Sequence, residues 1–184
     1  MTSLPIHSIE SAPEDSKPLL QDSIQNFGFV PNIHGVLASA PKALEGYKIL
    51  HNLFTETSFD AEELTVVWQT INVEHACTYC VPAHTGIAHS MNVNPSLTEA
   101  LRNQKPMPTP KLQALHDTTL IILRNRGNVT QEELKTFYDA GYNEQQVLEI
   151  ILGLAQKVIS NYANYIGNSP VDKPFEEFSW SKEP

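Results

Sequence analysis

The 184-residue chain contains two cysteines, and they stand three positions apart in Glu74-His75-Ala76-Cys77-Thr78-Tyr79-Cys80-Val81-Pro82-Ala83-His84. Such a pair can cycle between dithiol and disulfide, hold half of a zinc site, or lie inert. The histidine favours chemistry. On a helix Cys80 and His84 are i and i+4 and share a face, and Cys77, three residues before Cys80, falls on the same stripe. The thiolate is the attacking species, and a free thiol ionises only near pH ~8.5, so an imidazole that takes the proton makes Cys80 a usable nucleophile. A helix N-terminus adds partial positive charge that stabilises the anion. Once a peroxide has oxidised Cys80 to a sulfenic acid, Cys77 can close a disulfide and release water, and an external dithiol must restore the pair.

The zinc reading is weaker. Structural zinc sites usually bring their second ligand pair from a distant segment. Here Cys77, Cys80, His84 and either Glu74 or His75 all lie within eleven residues. The spacing therefore argues against a structural zinc site.

The rest of the chain must position these groups. Its hydrophobic share of 41% is that of an ordinary globular protein and argues against disorder. A net charge of -9 without a Lys/Arg cluster argues against nucleic-acid binding. No apolar run approaches the ~20 residues of a membrane span, so no membrane partner is expected. The start, Met1-Thr2-Ser3-Leu4-Pro5, lacks the basic and apolar parts of a signal peptide. The expected compartment is the cytoplasm, where thiols stay reduced.

The apolar spacing is helical almost throughout, which predicts an all-α, single-domain bundle. Residues 1–17 read as an irregular arm, 18–168 as the helical domain and 169–184 as a Pro- and charge-rich tail that packs on a neighbour. Pro18 opens a helix closed by Gly28, a short helix spans Asn32 to Ala40, and Pro41 opens another. Asp60-Ala61-Glu62-Glu63 and Thr130-Gln131-Glu132-Glu133 read as capping boxes, and Asn143-Glu144-Gln145-Gln146 offers a similar start. Cys77 to Met91 reads as one helix. The segment from Asn92 to Pro110 reads as loop with a turn of helix near Leu97, and a helix runs from Lys111 to Arg124. In the last helix, Val147, Ile151, Leu152, Ala155, Val158, Ile159, Tyr162 and Ile166 form the stripe expected to face the core.

The run Glu-x-x-Cys-x-Tyr-Cys-x-x-Ala-His-Thr, from Glu74 to Thr85, resembles the signature of the alkylhydroperoxidase D-like branch of the carboxymuconolactone decarboxylase family. Phe27-Gly28-Phe29-Val30-Pro31-Asn32, Leu37 to Pro41, Ala140-Gly141-Tyr142 and Asn161-Tyr162-Ala163-Asn164 resemble further landmarks, extending the likeness over roughly residues 20 to 175. The resemblance implies a helical homo-oligomer acting without a bound cofactor as a peroxiredoxin-like thiol peroxidase or disulfide reductase in antioxidant defence, on a hydroperoxide, with a dithiol or protein reductant. It implies that Cys80 is the thiol activated by His84, and that Cys77 is the more exposed partner that meets the reductant. Two departures stand out. Better-known members carry a relay Glu where this chain has Thr65, and a His between the cysteines where it has Tyr79. Glu74 is the replacement carboxylate, with Glu63 in reserve although a helix cap explains it better. Tyr79 can orient a proton through its hydroxyl or simply pack. The alternative functions are a non-catalytic thiol redox sensor or an oligomeric binding protein. Lactone decarboxylation, which does not depend on a CxxC pair, ranks below both.

Overall fold

Local capping signals decide where most helices begin. The computed structural model describes residues 4–182, so the ends of the expected arm and tail, residues 1–3 and 183–184, lie outside the described residues. Among the described residues there are nine α-helices and no strand: α1 Lys17–Phe27, α2 Asn32–Leu37, α3 Pro41–Thr55, α4 Ala61–Glu74, α5 Cys80–Ser90, α6 Pro95–Arg102, α7 Pro110–Arg124, α8 Gln131–Asp139 and α9 Glu144–Gly167. Asp60, Thr130 and Asn143 each close the capping box read from the sequence, accepting a backbone N–H while the Glu or Gln three residues on reaches back. A side-chain cap of this kind contributes about 1 kcal/mol. Gly28, at φ 80°, ends α1 in the left-handed conformation that glycine adopts without penalty.

α4 is the central helix, with every residue from Glu63 to Val73 buried. One apolar cluster gathers Phe54, Trp68, Leu97, Leu115, Phe137 and Ile150 around it. A second holds Leu20, Ile33, Leu37, Leu44 and Tyr47 together with Cys77, Tyr79, Cys80 and Ala83. The dithiol thus belongs to a packed core.

Three expectations need correction. The CxxC helix starts at Cys80 and not at Cys77, because α4 overruns into a Schellman-type end. Ala76 N–H reaches Val73 O at 2.9 Å and Cys77 N–H reaches Asn72 O at 3.0 Å, with Ala76 at φ 52° where glycine is usual. An alanine held there stores about 1–2 kcal/mol of backbone strain beside Cys77.

The second correction concerns α9. Ile151, Tyr162 and Ile166, expected in the core, are 45%, 54% and 67% exposed. The buried face is instead Ile150, Gly153, Gln156, Lys157, Ser160, Asn161 and Asn164. Polar side chains turn inward because buried partners on α4 and α5 satisfy them.

Third, the tail lies on its own chain. A 3-10 turn, Lys173–Phe178, runs along α5, where Gly86 leaves room for the Phe175 ring. Arg102 holds this strap by donating to Phe178 O (2.9 Å) and Ser179 O (3.2 Å), and Trp180 donates back to Arg102 O at 3.0 Å.

Candidate active site

Cys77 sits in the turn before α5 and accepts from the first backbone N–H groups of that helix. Its carbonyl accepts from Val81 N–H at 3.1 Å, and its Sγ accepts from Cys80 N–H at 3.2 Å. Cys80, at the first turn of α5, receives a hydrogen bond from Asn164 Nδ2 at 3.3 Å. Both thiols are free, and each residue is only 2% exposed, so Cys77 is no more accessible than Cys80.

α9 supplies the facing wall. Lys157, Asn161 and Asn164 fall at i, i+4 and i+7 and share one face. Asn161 Nδ2 donates to Asn72 Oδ1 (3.0 Å), Asn72 Nδ2 to Gln69 Oε1 (3.1 Å), and Gln69 Nε2 to Val81 O and Thr85 Oγ1 (both 3.1 Å). This ladder of buried amides locks α9 and α4 against the start of α5.

Lys157 is 1% exposed, and its Nζ donates to His84 Nε2 at 2.8 Å. With Nε2 accepting, His84 is neutral and carries its proton on Nδ1. That atom is buried and has no partner among the described residues. Burial and the adjoining ammonium hold His84 well below the usual imidazole range. Lys157 is the other basic group that meets this ring. Burial works against it too, while the charges of Cys80 and Cys77 favour it.

The two thiols differ. A hydrogen bond to Cys80, then burial and the neighbouring charge, push Cys77 far up. Burial opposes a Cys80 thiolate, but the Cys77 thiol, Lys157, Asn164 and Asn161 outweigh it and bring Cys80 down to about 6. Of the two, Cys80 is the thiol whose anion is favoured.

Cys80, His84 and Lys157 line a cavity of about 320 Å³, and Cys77 does not. Its walls are Phe27, Phe29, Ile33, Tyr47, Ile87 and Phe175, and Asp22 and Lys48 form an ion pair at 2.5 Å on its rim. Tyr79 OH donates to Asp172 Oδ2 of the strap at 2.5 Å and accepts from Ile33 N–H at 3.3 Å.

Neither a family model nor a curated protein matches the chain. Solved structures do. The alkylhydroperoxidase AhpD core, an uncharacterized peroxidase-related protein from Ralstonia eutropha JMP134, matches with TM-score 0.81 at 22% identity, over 93% of each chain. The chain has the alkylhydroperoxidase D-like fold. An uncharacterized peroxidase-related protein from Silicibacter sp. TM1040 follows at TM-score 0.78 and 16% identity, over 95% of this chain and 92% of its own. The debrominase Bmp8, solved with 2,3,4-tribromopyrrole, has TM-score 0.74 and 17% identity, over 96% of this chain and 95% of its own.

Within this alkylhydroperoxidase D-like fold the residues picked from sequence do not all converge. Cys77, Cys80 and His84 do, with Lys157 on the histidine and lining the same cavity as Cys80. Glu74 instead forms a two-point ion pair with Arg124, at 2.7 and 2.8 Å, and does not line the cavity. Glu63 closes its capping box and is held by Tyr142 OH (3.0 Å) and Lys111 Nζ (2.8 Å). His75 bonds Asn161 Oδ1 through Nδ1 at 2.7 Å. Tyr79 ties strap, α2 and α5 together, its hydroxyl fully engaged. His34 and His51, without visible partners in the sequence, line the cavity; His34 meets Tyr47 edge-on, and His51 stacks on Tyr47 and lies flat on Trp68. Lys157 went unread, although it is the sole charged residue between Ile150 and Gly167. That isolation within a long apolar helix is the signal that could have found it. Among the described residues, no helix is long and apolar enough to cross a membrane, and no three His, Cys, Asp or Glu side chains converge as a metal site.

Proposed function

We propose that the chain is a thiol-dependent peroxidase that cycles Cys80 and Cys77 between dithiol and disulfide. One observation carries this reading: the thiol favoured as the anion lines the cavity, while its protonated partner lies behind it, bonded to the same turn. The Cys80 thiolate attacks the outer oxygen of a hydroperoxide, the O–O bond breaks, and the leaving oxygen takes a proton. Cys77 then attacks the sulfenic sulfur, water leaves and the disulfide forms. An external dithiol or protein reductant returns both thiols by exchange. The aromatic walls favour an organic hydroperoxide over hydrogen peroxide. The apolar outer stripe of α9 supports a homo-oligomer, since a second copy would cover Ile151, Tyr162 and Ile166.

The same walls, with Bmp8 sharing the fold, support a second reading in which the dithiol dehalogenates a small ring. There the thiolate takes the halogen, the ring carbon takes a proton, and Cys77 displaces halide as the disulfide closes. Steady-state consumption of cumene hydroperoxide with dithiothreitol separates the readings. Multiple turnovers, lost in Cys80→Ser and reduced to one oxidation in Cys77→Ser, are expected. Halide release from a bromopyrrole without peroxide turnover would select the second reading. A single oxidation of the intact chain would leave only a sensor.

A further inference from the structure

We propose that Lys157 is both the counter-ion of the Cys80 thiolate and the proton carrier of the catalytic cycle. This rests on the peroxidase reading for its substrate step, but not for its redox chemistry.

The geometry leaves the ammonium one anionic partner. Lys157 is buried, with its Nζ on His84 one turn along α5 from Cys80, and Asn164, two turns along α9 from Lys157, touches Cys80 Sγ. Both helices thus bring the same faces together, and Lys157 and Cys80 border one cavity. Among the described residues no carboxylate lies within 4.0 Å of Lys157 Nζ, since the two near the cavity are engaged, Asp22 by Lys48 and Asp172 by Tyr79. A buried cation with no anion is strongly disfavoured. The thiolate removes that penalty in the reduced state. In the disulfide state the anion is gone, so the ammonium must shed its proton.

The proton count closes on this. Starting from Cys80 thiolate, Cys77 thiol and Lys157 ammonium, attack on the hydroperoxide gives sulfenic acid, and the Lys157 proton passes to the leaving oxygen to give an alcohol and a neutral amine. Cys77 thiol displaces water as the disulfide forms. A dithiol reductant then delivers two electrons and two protons, and one of these moves from Cys80 to Lys157. The sum is hydroperoxide plus dithiol giving alcohol, water and disulfide. His84 positions the amine by accepting from it and is no base itself while Nε2 is so engaged.

The other titratable groups facing the pair are Cys77 and Tyr79 before α5, His84 on α5, His34 on α2, Tyr47 and His51 on α3, Asp172 on the strap, and at the rim Asp22 on α1 paired with Lys48 on α3. Burial keeps His34 and His51 neutral, at about 3 and about 4, and raises Tyr47 and Tyr79 out of range. Between pH 6.5 and 8 the proton balance therefore belongs to Cys80 and Lys157.

The test is the reduction potential of the intact protein against glutathione, which needs no peroxide. Two protons per two electrons predict a potential falling by about 59 mV per pH unit over that window, and a lysine that keeps its proton predicts about 30 mV. Lys157→Met should lose the 240 nm thiolate absorbance at pH 7. It should also shift the dithiol-disulfide equilibrium about tenfold toward disulfide, about 30 mV, while Lys157→Arg keeps the absorbance. A slope near 30 mV in the wild type, or full thiolate absorbance in a folded Lys157→Met protein, would overturn the proposal. Either result stands whether or not the protein consumes peroxide.

Discussion

Replacing Gly86 by alanine puts a methyl group where the strap lies. Its Cβ would come 2.5 and 2.7 Å from two atoms of the Phe175 ring and 3.3 Å from Phe178. Carbon atoms settle at about 3.5–4.0 Å, so the ring must withdraw by roughly 1 Å or more. Phe175 covers the cavity that holds Cys80 and packs on Phe29 with ring centroids 6.5 Å apart. Undocking a phenylalanine forfeits about 1.5–3 kcal/mol of burial, and a loss near 2 kcal/mol raises the open population about 30-fold. Where closing outpaces labelling, the rate of modification follows that population. Iodoacetamide should therefore label Cys80 about 30-fold faster at pH 7, with little change in Tm, because only the strap opens. Helix α5 itself is not weakened, since alanine is the better helix former by about 1 kcal/mol. Phe175→Ala should label as fast. Rates within threefold of wild type for both variants would refute Phe175 as the cover.

Glu74→Gln should leave turnover unchanged, because the carboxylate is spent on Arg124 outside the cavity, and should cost no more than about 1 kcal/mol as a partly exposed pair; a tenfold loss of kcat would restore Glu74 as a relay. The neutral buried histidines set an acid limit. Burial lowers His34 to about 3 and His51 to about 4, so the unfolded chain binds protons that the folded chain refuses once the pH drops below about 6.5. Stability is full above that value and falls by about 2 kcal/mol for each ring between pH 7 and pH 5. An unchanged urea midpoint across this range would mean that the rings accept protons in the folded state.

Capping is local, so the starts at Asp60, Thr130 and Asn143 could be read from four residues each. The Cys77, Cys80 and His84 cluster was legible for the same reason, all three lying within one short segment. Lys157 stands 73 residues from His84, and its approach depends on how α9 rotates in the bundle. Apolar spacing pointed to the wrong face of α9, because amides that satisfy one another outrank isoleucines in claiming the interior there. The late start of α5, at Cys80, was hidden for a related reason. Schellman closure at Ala76 needs a left-handed alanine, which the residue type disfavours.

The central claim is that Cys80 is the nucleophile and Cys77 the resolving thiol. The measurement that tests it most directly is sulfenic-acid trapping by dimedone in the Cys77→Ser protein after one equivalent of cumene hydroperoxide, with the adduct located by peptide mass. The account predicts stoichiometric adduct on Cys80, and none in Cys80→Ser. An adduct on Cys77 in the Cys80→Ser protein, with Cys80 unmodified in its counterpart, would contradict it.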